Sequence, residues 1–378
     1  MILANAKIVD ENFTVRKCDL RLEQEKIAEI GVGLTGGEIL DCSDKYILPG
    51  FIDTHMHGAN RARIGEKDWD LSPITRFEAT QGVTGIAITT SASEFHSLLM
   101  QMECAATAAE KQPQGAKILG IHAEGPFLNK KRKGAMIEEN ILLPDVEKLD
   151  QLVACGRGFL KIITIAPEIP GASELIRYAV DKGLVVSMGH TDATYDQTIS
   201  GIQAGATQCT HTFNAMRPLN HREPGVLGAV LLRPEVTCEM ICDYVHLHPA
   251  VVEMIYRMKG ADLIRIISDS EQAAGVDVEE FEVNGIKCYI RDGAVRLEDG
   301  TISGSAQTLL DGVRNLLRAG ISIEDVSKMA SYNPAKSLKL EHITGSIAVG
   351  KCADLVVLNE QYDVEYTFVN GLCMYKRK

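Results

Sequence analysis

The stretch Ile47-Leu48-Pro49-Gly50-Phe51-Ile52-Asp53-Thr54-His55-Met56-His57 is an apolar run of strand type that ends in two histidines one residue apart. Side chains alternate along a strand, so both imidazoles project to one face. The same unit then recurs. Runs of strand character cover 83–90, 118–124, 160–168, 184–190, 207–214, 236–246 and 263–269, which makes eight with the first. Helical patterns lie between most of them, at 72–81, 98–111, 145–155, 173–182, 195–204 and 249–258, long enough to cross back over a parallel sheet. The crossover after the sixth run is weaker, being short and glycine-rich around 225–228. Eight β/α repeats predict a (β/α)8 TIM-type barrel, with the first pair of histidines at its catalytic, C-terminal end.

The two ends of the chain have another texture. Short strands and tight turns fill the first 46 residues, and 345–378 repeat the pattern, closing on a hairpin with the turn Asn370-Gly371. That dipeptide suits two successive positive φ values. A small β-sandwich domain built from 1–46 and 345–378 is expected, with the barrel spanning 47–344. Within the latter, Asn284-Gly285, Asp292-Gly293 and Asp299-Gly300 recur at short spacing and predict an inserted β meander at about 276–303.

Composition narrows the function. With 45% hydrophobic and 24% charged residues, the 378-residue chain can bury a large core, which excludes wholesale disorder. The net charge is −12 and no basic run exceeds the four residues Lys130 to Lys133, which argues against nucleic acid or an anionic membrane as partner. No segment approaches the roughly 20 apolar residues of a membrane span, and the N-terminus lacks the charged-then-apolar order of a signal peptide. The expected location is the cytoplasm. Ten cysteines without a C-x-x-C pair read as reduced, mostly buried thiols.

The other strand ends carry the chemistry. The third run ends in His122-Ala123-Glu124, the fifth in Gly189-His190, the sixth in Thr210-His211 and the eighth in Ser268-Asp269-Ser270. With His55 and His57, metal-type residues therefore converge from five strands on one mouth of the barrel. Nitrogen and oxygen ligands of this kind suit zinc or ferrous iron, and one or two divalent ions are expected.

The sequence resembles the N-acetylglucosamine-6-phosphate deacetylase family of the amidohydrolase superfamily, in the phrases PGFIDTHMHG (49–58), HAEGPFLN (122–129), TIAPE (164–168), GHTDATYDQ (189–197), THTFNAM (210–216), HREPG (221–225) and NPAKSL followed by GSIAVGKCADLVVL (333–358). The resemblance spans nearly the whole chain. It implies that Glu124, His190 and His211 hold the principal metal and that His55 and His57 complete a second site which some members have. Glu124 would then bridge the two. It makes Asp269 the proton shuttle, accepting a proton from the attacking water and delivering it to the departing amine. It further implies that Asn214, Ala215, His246 and Arg222 contact a sugar phosphate, the arginine arriving from the partner subunit of a homodimer.

Several positions depart from the family pattern. Met136 stands where a histidine often polarises the acetyl carbonyl, and Tyr244 where a glycine commonly precedes the phosphate-binding histidine, so that its ring could fill the pocket. Arg61 and Arg63 place two cations near the barrel mouth. The expected reaction is metal-dependent hydrolysis of the acetamide of N-acetylglucosamine 6-phosphate. Another anionic amide, including N-acetylgalactosamine 6-phosphate, and a non-catalytic metabolite-binding role stand as alternatives.

Overall fold

The computed structural model describes residues 1–65, 70–283 and 285–378. Eight parallel strands form the central sheet: β1 (Phe51–Met56), β2 (Val83–Ser91), β3 (Lys117–Glu124), β4 (Leu160–Ile165), β5 (Val185–Met188), β6 (Gln208–Cys209), β7 (Thr237–Ile241) and β8 (Ile264–Ile267). Each strand pairs with its neighbours in chain order. The Asp269 N–H donates to the His55 carbonyl at 2.9 Å, joining the last strand to the first and closing the barrel. Burial on both faces explains why these strands read as near-continuous apolar runs.

The fold class is the expected one, and the details differ where backbone sterics intervene. The first apolar run is two strands: Tyr46–Pro49 belongs to the small sheet, and β1 starts at Phe51. Gly50 separates them because a Cβ there would stand 2.1 Å from the Thr84 side chain. Strand β6 shrinks to two residues because Thr210 to Asn214 turn away from the sheet, with φ of 27° at His211 and 80° at Phe213. The weak sixth crossover is a helix over Gly225–Leu232, buried up to Leu231. An element apolar on every side shows no amphipathic period.

The chain ends pair into one eight-stranded sheet, as Leu355–Leu358 runs antiparallel to Tyr46–Pro49. Its N-terminal strands Ile2–Val9 and Val15–Glu23 face the C-terminal ones across a shared apolar core that includes Leu3, Ile8, Leu20, Leu355, Val357 and Phe368. This is the small β-sandwich. Asn370 and Gly371 turn its last hairpin with φ of 48° and 73°. The meander consists of antiparallel strands Glu280–Val283, Ile286–Arg291, Ala294–Arg296 and Ile302–Ser305. Of its expected turn residues, Asn284 lies outside the described residues. Among the described residues no helix is long and apolar enough to cross a membrane.

Candidate active site

His190, His211 and Asp269 take up positive φ values of 45°, 27° and 51° just beyond their strands. Non-glycine residues adopt this region at a cost of order 1–3 kcal/mol, and such strain gathers at functional sites. The bends turn the three side chains onto one centre beside His55, His57 and Glu124.

There, Glu124 Oε1, His190 Nε2 and His211 Nε2 form a triangle with sides of 2.9, 3.1 and 3.1 Å. Such a spacing is close to that of ligands gathered around one cation at about 2.0–2.1 Å. On the other side, Glu124 Oε2 lies 3.4 Å from His57 Nε2, and Asp269 Oδ1 lies 3.5 and 3.3 Å from the Nε2 atoms of His55 and His57. Three overlapping sets of potential ligands thus meet: Glu124 with His190 and His211, His55 with His57 and Asp269, and His55 with His122 and Glu239.

The imidazoles are prepared for a cation. His57 Nδ1 faces the Thr89 carbonyl at 3.1 Å, and His190 Nδ1 the Arg132 carbonyl at 2.8 Å. A carbonyl only accepts, so each Nδ1 carries a hydrogen, and each Nε2 points into the centre toward Glu124, where a cation would meet its lone pair. His55 Nδ1 faces Glu239 Oε2 at 2.9 Å, while its buried Nε2 has no hydrogen-bond partner among the described residues. Electrostatics agree. Burial opposes charge on His55, but Glu239, Asp269 and Glu124 outweigh it and push the imidazole pKa up to about 10. Asp269 is likewise opposed by burial, yet His55 and His57 bring its carboxyl down to about 2. A buried centre that so favours positive charge, with an orphaned nitrogen inside it, fits a divalent metal.

The centre opens into a cavity of about 590 Å³ lined by five of these six residues, all but His55, and by Asn214, Ala215, His246, Met136 and Arg63. His246 is oriented by Asp243, whose Oδ2 faces its Nδ1 at 2.6 Å. Arg63 is buried against the wall, its Nε donating to Glu271 Oε2 at 2.9 Å and its Nη2 to Ser91 Oγ at 3.2 Å. The remaining expected residues lie elsewhere. Arg222 is exposed and outside the cavity of its own chain. Arg61 is exposed and does not line the cavity. Tyr244, expected as a candidate for filling the pocket, does not line it: with φ of 62° its half-buried ring packs against the core and its hydroxyl donates to the Asn315 carbonyl at 3.0 Å. That positive φ is the physical reason a glycine suits this position.

Sequence reading passed over Glu239, Glu271, His122 and Arg265. Fully buried Arg265 approaches Glu239 Oε1 at 3.3 Å. His122 packs edge-on against His55, and its Nδ1 donates to the Thr54 carbonyl at 3.2 Å, which leaves its Nε2 to accept from Thr164 Oγ1 at 2.8 Å. The signal for Glu239 was present, because a carboxylate inside the apolar run Val236-Thr237-Cys238-Glu239-Met240-Ile241 needs a buried partner.

A (β/α)8 barrel with histidines and carboxylates converging at the C-terminal ends of its strands defines a metal-dependent hydrolase. A family model described as "Amidohydrolase family" matches residues 46–373. An N-acetylglucosamine-6-phosphate deacetylase of Lysinibacillus sphaericus is 35% identical over 98% of this chain and 97% of its own. An N-acetylgalactosamine-6-phosphate deacetylase of Escherichia coli O157:H7 is 31% identical over 86% of each. Among solved structures, a variant N-acetyl-D-glucosamine-6-phosphate deacetylase of Mycobacterium smegmatis in complex with N-acetyl-D-glucosamine 6-phosphate superimposes with a TM-score of 0.93 at 29% identity, covering 100% of this chain and 99% of that one. The chain belongs to the amidohydrolase family and, within it, to the N-acetylglucosamine-6-phosphate deacetylases.

Proposed function

We propose that this protein hydrolyses the acetamide of N-acetylglucosamine 6-phosphate, releasing acetate and glucosamine 6-phosphate. The observation that carries the reading is the convergence of Glu124, His190, His211, His55, His57 and Asp269 within one buried centre that opens on a cavity of about 590 Å³. Glu124, His190 and His211 would hold the first divalent ion, zinc or iron, and His55 with His57 a second, Glu124 lying between the two sets. Bound there, the metal would lower the pKa of a water toward about 7 and polarise the amide carbonyl.

The remaining roles belong to the chain. Asp269, ionised and within 3.5 Å of both His55 and His57, takes the proton of the attacking water and hands it to the departing nitrogen, which could not leave as an amide anion. Met136 lines the cavity but offers no hydrogen to an oxyanion. Asn214, Ala215 and His246 contact the sugar phosphate, with Arg222 reaching it from the partner subunit of a homodimer, since its own cavity is out of reach. An arginine suits that task because its planar fork donates two parallel hydrogen bonds. The protein works in the cytoplasm, on a phosphorylated small molecule.

The 31% identity to an N-acetylgalactosamine-6-phosphate deacetylase over 86% of each chain favours a second reading, an amidohydrolase acting on a different anionic amide, the galactosamine epimer included. Acetate release from a panel of N-acetylated hexosamines, with and without phosphate, by zinc-, iron- and manganese-loaded protein separates the two. Fastest turnover of N-acetylglucosamine 6-phosphate is expected, and no release from any phosphorylated acetyl sugar would exclude the first reading.

A further inference from the structure

Glu239 could form a ligand set of its own with His55 and His122, but its carboxylate lies on the Nδ1 side of His55, away from Glu124 and Asp269, which face Nε2. It sits on β7 with no exposed surface. A single oxygen, Oε2, meets His55 Nδ1 at 2.9 Å and accepts from the backbone N–H of His211 at 3.0 Å. Those two histidines come from β1 and from the turn after β6, and they belong to different ligand sets. The other oxygen faces Arg265, which is itself fully buried.

The backing of the four histidines is unequal. His57 and His190 lean on neutral carbonyls. The buried Nδ1 of His211 has no hydrogen-bond partner among the described residues. His55 alone is backed by a carboxylate, which fixes its tautomer with Nε2 free and makes that nitrogen a more basic ligand. The Glu239 main-chain carbonyl also accepts from Thr212 N–H at 3.0 Å, so the turn that carries His211 is anchored to the same residue.

We infer that Glu239 is a positioning residue that sets how many cations the centre holds, by building the His55 side of the second metal site from behind. The inference rests on the metal-binding part of the proposed function, but not on the identity of the substrate. A carboxylate behind a ligating histidine typically contributes 10- to 100-fold in metal affinity. Because the same oxygen also steadies His211, the discriminating quantity is the affinity for the second ion relative to the first.

The test is a titration of chelator-treated protein with cobalt(II), following visible absorption and counting bound metal by mass spectrometry, for the parent, Glu239→Gln and Glu239→Leu. The parent should take up two equivalents per chain with distinct spectra. Glu239→Leu should bind the second 10- to 100-fold more weakly relative to the first. Glu239→Gln should fall between, because its amide oxygen still accepts from His55 and His211 but brings no charge. Saturation of the parent at one equivalent would overturn the inference. So would variants that hold both ions as tightly as the parent, or that weaken both equally, which would mark Glu239 as structural support only. Should Glu239→Leu fail to fold by circular dichroism, Glu239→Gln decides alone, and parent-like uptake of the second ion refutes the proposal. Acetate release measured on the same samples reports separately on the deacetylase reading.

Discussion

The β-sandwich and the centre of the barrel are both strand-built and both buried, yet they are filled with opposite chemistry. In the sandwich, Leu3, Ile8, Leu20, Ile27, Leu355, Val357 and Phe368 meet in an apolar cluster, beside which carboxylates such as Asp19 and Asp354 are buried. In the barrel centre, Asp53, His55, His122, Glu124, Thr164, Ser187, Thr210, Glu239 and Arg265 are all buried. There a chain of hydroxyls runs from Thr164 to Thr210 at 2.8 Å and on to Ser187 at 2.6 Å. An apolar interior needs only volume and shape, whereas a polar one needs every group paired or it costs stability. A polar interior at the strand ends is therefore where function is to be sought, and the sandwich is where stability is.

The largest expected effect tests the polar half. Asp269→Asn should lower kcat by about 10²- to 10⁴-fold, the usual worth of a positioned proton-transfer group, while the metal content stays within a fraction of an equivalent of the parent. Activity within threefold of the parent would remove Asp269 from proton transfer and leave it as a ligand or a support. The apolar half should answer differently. Phe368→Ala deletes a ring that is 1% exposed and should cost about 3–5 kcal/mol of stability, the usual range for a buried aromatic. Its denaturation midpoint should fall, and kcat of the folded fraction should not. A Phe368→Ala protein that is stable but slow would show that the sandwich shapes the active site and that the division proposed here is wrong.

This contrast also governs how much of the molecule its amino-acid sequence reveals. Apolar runs announce strands whether they line a sandwich or a barrel, so the order of elements was legible, as were the histidines and carboxylates at strand ends. Contacts that join distant segments were not. Nothing near Arg63 points to Glu271, and nothing near Tyr244 reveals that a φ of 62° swings its ring to Asn315. The split at Gly50 escaped for the same reason, since the Thr84 side chain that forbids a Cβ there lies on another strand. Glu239 was legible in principle as an isolated carboxylate in an apolar strand, but its partners His55, His211 and Arg265 come from other elements of the barrel.

A smaller effect concerns the rim between the two kinds of interior. Arg222 lies exposed outside its own cavity, so Arg222→Ala should leave stability near that of the parent. If it reaches the phosphate of a neighbouring subunit's substrate, KM for the phosphorylated sugar should rise about 10- to 100-fold, the loss of a charge-assisted hydrogen bond. Weak turnover of the unphosphorylated sugar should change far less. Equal damage to both substrates would assign Arg222 to the assembly instead.

The smallest effect compares one buried aspartate from each region. Burial raises the pKa of both, and in both it is outweighed. At the barrel mouth, Asp192 is brought down to about 2 by the cations Lys131, Arg132 and Arg217. In the small sheet, Asp19 is lowered by backbone N–H groups, Asn5 at 2.8 Å and Leu34 at 2.9 Å among them. A carboxyl whose folded pKa lies below its unfolded value of about 3.9 stabilises the protein above that value, and the contribution disappears as pH falls through the folded pKa. Asp192→Asn should therefore cost about 1–2 kcal/mol at pH 7, a penalty that shrinks below about pH 4 and vanishes only below the folded pKa of about 2. Salt should then separate the two sites. The Lys131 side chain is 67% exposed, and at 1 M salt the screening length falls to about 3 Å, so the Asp192→Asn penalty should shrink. Asp19→Asn turns an amide N–H against a backbone N–H, and that short-range mismatch should persist at any ionic strength. Unfolding curves at low and high salt would show it, and equal salt dependence of the two variants would mean that the mouth is no more electrostatic than the sandwich.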